Sequence, residues 1–472
     1  MLAEDRKKLP ALLQQTVDEA ARFLATLDER PVARAVPAIA PLGLLDRGLG
    51  AEGALRALTE RYSPWMSGSA GPRYFAFVTG GSTPAALVGD WLTSTFDQNA
   101  ADAGESGARQ LALDALGMLR SLLGLPEAFQ GAFVTGATTS TTVGLATARQ
   151  WVGHARGIDV AQAGAHALGA VPVLSGSPHA SVFKALSILG LGRSALRLVP
   201  TLPDREAVDP EALGAALRDV EARGQGPAIV VANAGTVNTC DFDDLRAIAA
   251  LRRQHPFWLH ADGAFGAIAA ASDRLRPLLD GLAEADSITV DAHKWLNVPY
   301  DGAVILTRHL PLQGEAFQST GAYLPAVVRP DTFVHLTPEN SQRLRALPIW
   351  MTLAAYGRAG YTEIVERCCE LAAWLGAAMA RSPDFRLLAP VRLNGLCFTV
   401  LDRRGEPRSA GDIASFLDRL KLGGATFLTP TTYRGVPAAR VSITSWRTEL
   451  ADIERAWRAM QDAAAETRDE PS

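Results

Sequence analysis

Cysteine is scarce, with four in 472 residues, at Cys240, Cys368, Cys369 and Cys397. They make no Cys-x-x-Cys pair and no regular framework, which argues against a disulfide scaffold and a thiolate metal site. Reduced thiols in a cytosolic protein without a metal are expected. Blocks of like charge are missing too. With 46 basic and 50 acidic residues and a formal charge of -4, no stretch tracks a phosphate backbone, so nucleic acid is not expected as a partner. The amphipathic stretch Leu12 to Leu27 that follows MLAEDRKKLP lacks the uninterrupted apolar core of a signal peptide or membrane span. Neither export nor membrane insertion is expected. Repeats at solenoid periods and low-complexity tracts are lacking as well. What is present is an ordinary enzyme composition, 48% hydrophobic and 20% charged, on a chain long enough for two or three packed domains.

The first segment, residues 1–85, reads as irregular: an amphipathic helix, a proline-rich passage (Pro31, Pro37, Pro41) and a shorter helical stretch from Ala51 to Tyr62. Such a segment hardly folds alone and is expected to wrap a partner surface. From about Ser82 to Thr307, short apolar runs alternate with helical patterns, which predicts an α/β domain with a mostly parallel sheet and crossover helices. Its predicted strands are Gly131 to Val134, Val171 to Leu174, Ala228 to Ala232, Trp258 to His260, Ser287 to Val290 and Ala303 to Leu306. After Ser341 a long helical region leads to strands near Phe385 to Leu388, Leu396 to Leu401 and Ala439 to Thr444, with helices at Ala410 to Leu420 and Glu449 to Ala463. That pattern is a smaller α/β domain, and the domains are placed at 1–85, 86–345 and 346–472.

Chemistry concentrates after the buried strands. In Thr289-Val290-Asp291-Ala292-His293-Lys294-Trp295 a lysine follows directly on a short apolar run. A desolvated amine has a lowered pKa and attacks a carbonyl readily, as an aldehyde cofactor requires. Taken alone, such a lysine is as readily a solvated strand end. In Phe257-Trp258-Leu259-His260-Ala261-Asp262-Gly263 an aspartate lies just past another buried strand, where ligands of open α/β sheets bind. A buried carboxylate wants a cation, and a protonated pyridine nitrogen supplies one; a helix N-cap is the plainer reading. Lys294 and Asp262 together favour pyridoxal 5′-phosphate (PLP). In Phe133-Val134-Thr135-Gly136-Ala137-Thr138 a strand runs through a small-residue turn into a helix expected to reach Gln150. Such a turn binds a phosphate dianion through backbone amides and the helix dipole, with the Thr138 hydroxyl, although ordinary βα loops look alike. His179 opens the next helix in Ser177-Pro178-His179-Ala180-Ser181, either lying flat on a pyridine ring or capping the helix.

These residues resemble those of the group II PLP-dependent amino-acid decarboxylases, which include aromatic-amino-acid, histidine and glutamate decarboxylases. The similarity runs from the Pro31-Val32 pair onward. It implies a fold-type I (aspartate-aminotransferase-like) α/β homodimer whose N-terminal segment wraps the other subunit. By the resemblance, Lys294 carries the cofactor as a Schiff base, Asp262 pairs with the pyridinium, His179 stacks on the ring and Ala264 packs on its opposite face. Gly136, Ala137 and Thr138 hold the phosphate, His293 sits beside phosphate and substrate, and Asn233 joins the cofactor contacts. Gly321-Ala322-Tyr323-Leu324 resembles the loop whose tyrosine protonates the substrate carbon after carbon dioxide leaves. Phe75-Ala76-Phe77-Val78-Thr79 resembles the strip lining the substrate pocket, with Phe77 and Val78 an apolar wall and Thr79 near the scissile carboxylate.

Four positions depart from the family pattern. Gly71-Pro72 replaces a usual His-Pro, Asn233 a frequent Thr, Asp291 a frequent Asn, and Pro348 a lysine in Arg345-Ala346-Leu347-Pro348-Ile349-Trp350. Asp291 would repel a phosphate if it pointed that way. The expected reaction is decarboxylation of an L-amino acid to an amine, leaning to an aromatic or bulky apolar substrate. A second reading passes the electrons to oxygen and yields an aldehyde; the retained Tyr323 argues for the first. Transamination and retro-aldol cleavage have no residue that selects them. A scaffold that has lost catalysis is at odds with the intact Lys294, Asp262 and His179.

Overall fold

A computed structural model describes residues 1–100, 106–319 and 328–466. Its larger sheet comprises β1 (Gln130–Val134), β2 (Val173–Ser175), β3 (Leu196–Leu198), β4 (Ala228–Asn233), β5 (Phe257–Asp262), β6 (Ser287–Asp291) and β7 (Ala303–Thr307). The spatial order is β1-β7-β6-β5-β4-β2-β3. Neighbours from β3 to β6 pair in parallel. Only β7 runs against the rest, antiparallel to β1 and β6. Every residue of β4, β5 and β6 is buried, as expected of parallel strands covered on both faces. Register aligns Asn233 with Asp262 and Asp262 with Thr289, so the carboxyl ends of three central strands open onto one crevice.

The helix Ala137–Ala155 packs across β5, β6 and β7. Its closeness depends on Gly144, where a Cβ would come within 2.8 Å of the His260 ring. A smaller antiparallel sheet holds β8 (Phe385–Leu387), β9 (Gly395–Val400), β10 (Thr429–Tyr433) and β11 (Val436–Ser442), in the order β10-β11-β9-β8. Helical chain Ala346–Ala380, broken at Gly357 by a left-handed φ of 53°, leads from one sheet to the other. One apolar cluster runs from Leu259 and Val290 under the first sheet to Phe398 and Phe416 under the second.

Two strands were not anticipated. β3 is three residues long and none of its residues is buried, so it lacks the apolar run that marks a strand. β10 carries Pro430, a residue tolerated on edge strands only, and it lies at the edge of its sheet. β2 starts at Val173 rather than Val171. The helices Leu2–Ala25 and Gly50–Arg61 pack on each other, yet none of their residues is buried within the chain. Among the described residues no helix is long and apolar enough to cross a membrane, and no group of three or more His, Cys, Asp or Glu could hold a metal.

Candidate active site

At the carboxyl ends of β4, β5 and β6 lies a cavity of about 420 Å³, closed on one side by β11 and lined by Asp262, Lys294, His179, His293, Asp291 and Arg440 among others. Asp262 ends β5 and is nearly buried, at 8% exposure. Its Oδ1 accepts from the Ala264 amide at 3.2 Å, a turn that fixes the carboxylate without capping any helix. Lys294 follows β6, in a loop held from both sides. Gly80 lies so close that a Cβ there would sit 1.9 Å from the Lys294 carbonyl oxygen, and the Gly80 amide donates to His293 O. Asn297 fastens the other side, donating to Trp295 O at 2.9 Å and Thr444 O at 3.0 Å and accepting from the Trp446 amide at 2.7 Å. The backbone that carries Lys294 is thereby fixed at the cavity.

His179 takes the helix-capping reading in the structure. It is the N-cap of helix Ala180–Ile188, with Nδ1 accepting from the Ser181 amide at 3.2 Å, and its ring lines the cavity. Because Nδ1 accepts, the proton of the neutral ring sits on Nε2. Burial holds this histidine below its ordinary pKa, opposed by the nearby Asp262 carboxylate. Directly below, His260 is fully buried and pushed down to about 4. It accepts at Nδ1 from the Ser287 hydroxyl at 2.8 Å, since Trp258 Nε1 donates to that same oxygen.

Gly136, Ala137, Thr138 and Ala264 all line the cavity. Gly136 is the N-cap of helix Ala137–Ala155 and, as a glycine, supplies no side-chain cap. The Ala137 amide donates to Asp291 Oδ2 at 3.1 Å. His293 lies with Nδ1 2.8 Å from Asp291 Oδ1 and its ring 4.3 Å from that of Tyr300. Asn233 ends β4, and both its backbone and side-chain amides donate to Asp243 Oδ2. Phe77 and Val78 form part of the wall, both with left-handed φ, 56° and 59°; in a β-branched residue this is strained backbone. Thr79 is not brought to the cavity wall. Its hydroxyl shares a hydrogen bond with the Tyr300 phenol at 3.1 Å, one layer behind. Tyr323 lies outside the described residues.

The sequence reading missed Arg440. Arg440 projects from β11 into the cavity, where Nη1 reaches Val237 O and Asn238 Oδ1 at 3.4 Å each. Its signal was legible: a single charge inside the apolar strand Ala438-Ala439-Arg440-Val441.

The family model described as "Pyridoxal-dependent decarboxylase conserved domain" matches residues 57–401. This chain belongs to the pyridoxal-dependent decarboxylase family. It is 31% identical to an aromatic-L-amino-acid decarboxylase of Bacillus atrophaeus, over 69% of this chain and 67% of that protein. It is 26% identical to phenylacetaldehyde synthase of Arabidopsis thaliana, over 85% and 82% of the two chains. Among solved structures, Oryza sativa TDC with PLP and tryptamine superposes with a TM-score of 0.89 at 21% identity, covering 98% of this chain and 99% of that one. The fold is therefore that of the fold-type I decarboxylases, and PLP is the cofactor. The residues fit that group: a nearly buried carboxylate for a pyridinium, one lysine amine, a histidine ring, and a helix start with a glycine N-cap for a phosphate. Asp291 is the one element that fits poorly.

Proposed function

We propose that the protein decarboxylates an aromatic L-amino acid to the corresponding amine and carbon dioxide, as a homodimer. The observation that carries the reading is the convergence of Lys294 and Asp262 on one cavity in a chain of this family. When bound, PLP supplies an aldehyde for the amino group and a sink for the electrons left by carbon dioxide. Lys294 would hold the cofactor through its amine. Asp262 keeps the pyridine nitrogen protonated, and with it the electron-withdrawing power of the ring. His179, neutral and capped in place, presents its ring to the cofactor, while Ala264 bounds the site. Arg440 draws the carboxylate of an incoming amino acid by its positive field. Tyr323 delivers the proton to the α-carbon.

An aromatic substrate suits the mouth of the site. Phe77 packs edge-on against Phe427 at 5.8 Å, and Tyr74 against the same ring at 5.1 Å, leaving an aromatic surface beside Val78. A second copy of the chain suits the N-terminal segment, where Leu2, Leu44 and Leu58 stand exposed at 86%, 103% and 49%. Such an apolar surface calls for a cover.

The oxidative reading, to an aldehyde, is favoured by one specific observation, the similarity to a phenylacetaldehyde synthase. A substrate panel decides. The protein is incubated in air with phenylalanine, tyrosine, tryptophan, histidine and glutamate while carbon dioxide, amine, ammonia and peroxide are measured. Equal carbon dioxide and amine from an aromatic substrate is expected, and Tyr323→Phe should lose amine formation. Ammonia and peroxide in step with carbon dioxide would establish the oxidative reaction instead.

A further inference from the structure

Asp291 is 1% exposed and lines the same cavity as Lys294. Its Oδ2 accepts from the Ala137 amide at 3.1 Å, the first amide of helix Ala137–Ala155, whose N-cap Gly136 has no side chain to bond it. The same oxygen stands 3.8 Å from Lys294 Nζ, and Oδ1 lies 2.8 Å from His293 Nδ1 without an aligned hydrogen bond. The other charged or titratable groups lining the cavity are Asp262, His179, His293, Lys294 and Arg440. Asp291 thus holds, as a fixed anion, a donor that a phosphate would use.

We propose that Asp291 sets cofactor occupancy: its carboxylate competes with the cofactor's phosphate for the Ala137 amide and repels it, so that the holoenzyme exchanges PLP readily. The inference rests on the placement of the phosphate at Gly136 to Thr138. Two like charges at one buried helix start oppose each other far more strongly than in water, and a dianion bound there must displace the carboxylate or be accompanied by a proton taken up from solvent. His293 and Lys294 offset part of the repulsion. Lys294 is withdrawn from that duty when it takes the cofactor's aldehyde. An amide side chain at position 291 would keep the size and remove the charge.

The test separates the phosphate from the rest of the cofactor. Dissociation constants of PLP and of pyridoxal, which lacks the phosphate, are measured on full-length wild-type protein and Asp291→Asn, with Asp291→Ser as a second variant should the first misfold. PLP affinity should rise at least about tenfold in the charge-free variants while pyridoxal affinity moves less than about twofold. Unchanged or weakened PLP binding, or equal shifts for both compounds, would overturn the proposal. Failure of either compound to bind wild-type protein at Lys294 would instead remove the PLP site on which it rests.

Discussion

β5 and β6 lie side by side and each ends in an aspartate at the same cavity, yet the two carboxylates are set to opposite work. Asp262 accepts one amide of its own turn and sits near His179 and the buried His260, neither of which carries a competing positive charge at neutral pH. It is the anion awaiting a cation. Asp291 turns one oxygen to the helix start at Ala137 and holds the other 2.8 Å from His293, where the proposed reading places the phosphate. Residue type and position along the strand are alike; what faces each carboxylate decides its role.

The comparison breaks most visibly at Lys294, which serves both ends. Lys294→Ala should lower kcat by about 10³-fold or more, since the amine is the group that exchanges the cofactor's aldehyde; steady-state amine production checks it. Asp262→Asn should cost about 10²–10³ in kcat with PLP still bound, because an amide no longer holds the pyridine proton. Near wild-type turnover in that variant would make Asp262 a structural residue. His179→Ala should cost less, about 10- to 100-fold, with part of the loss in stability through the lost helix cap.

A smaller effect sharpens the pyridine end through pH. His260 is held at about 4, below the usual 6.5, by burial, so the unfolded chain takes up the proton first. Its contribution to stability is complete above pH 6.5 and is lost as pH falls toward 4, about 3 kcal/mol in all. Asp243, raised to about 6 by burial, acts in the opposite direction. The readout is therefore a difference: the stability gap between wild type and His260→Gln should narrow as pH falls from 7 to 4 in denaturant titrations. A gap independent of pH would mean that His260 titrates in the fold as it does in the unfolded chain. Phe77→Ala should have the smallest effect on folding and shift kcat/KM against aromatic substrates by about tenfold relative to aliphatic ones.

The central strands were legible because continuous apolar runs such as Ala228-Ile229-Val230-Val231 admit little else, and the meeting of Asp262 and Lys294 at one cavity because both follow such runs. β3 and β10 were not, one being short and exposed and the other carrying a proline. Arg440 was overlooked because its strand comes 146 residues after Lys294, and only the tertiary packing of the second sheet brings it to the cavity. Thr79 shows the converse. Its neighbours Phe77 and Val78 reach the wall, but two left-handed residues in succession turn the chain, so the hydroxyl meets Tyr300 instead. The direction of Asp291 was equally beyond sequence, since the residue's effect depends on which amide its carboxylate meets.

The central claim is that one lysine serves this cavity. The chain has five lysines, Lys7, Lys8, Lys184, Lys294 and Lys421, of which Lys294 lines the cavity. Borohydride reduction of the PLP-loaded protein, followed by proteolysis and mass spectrometry, locates the cofactor. The account predicts a phosphopyridoxyl mass on the peptide carrying Lys294 and its absence from Lys294→Ala; cofactor fixed to another lysine, or still fixed in that variant, would contradict it.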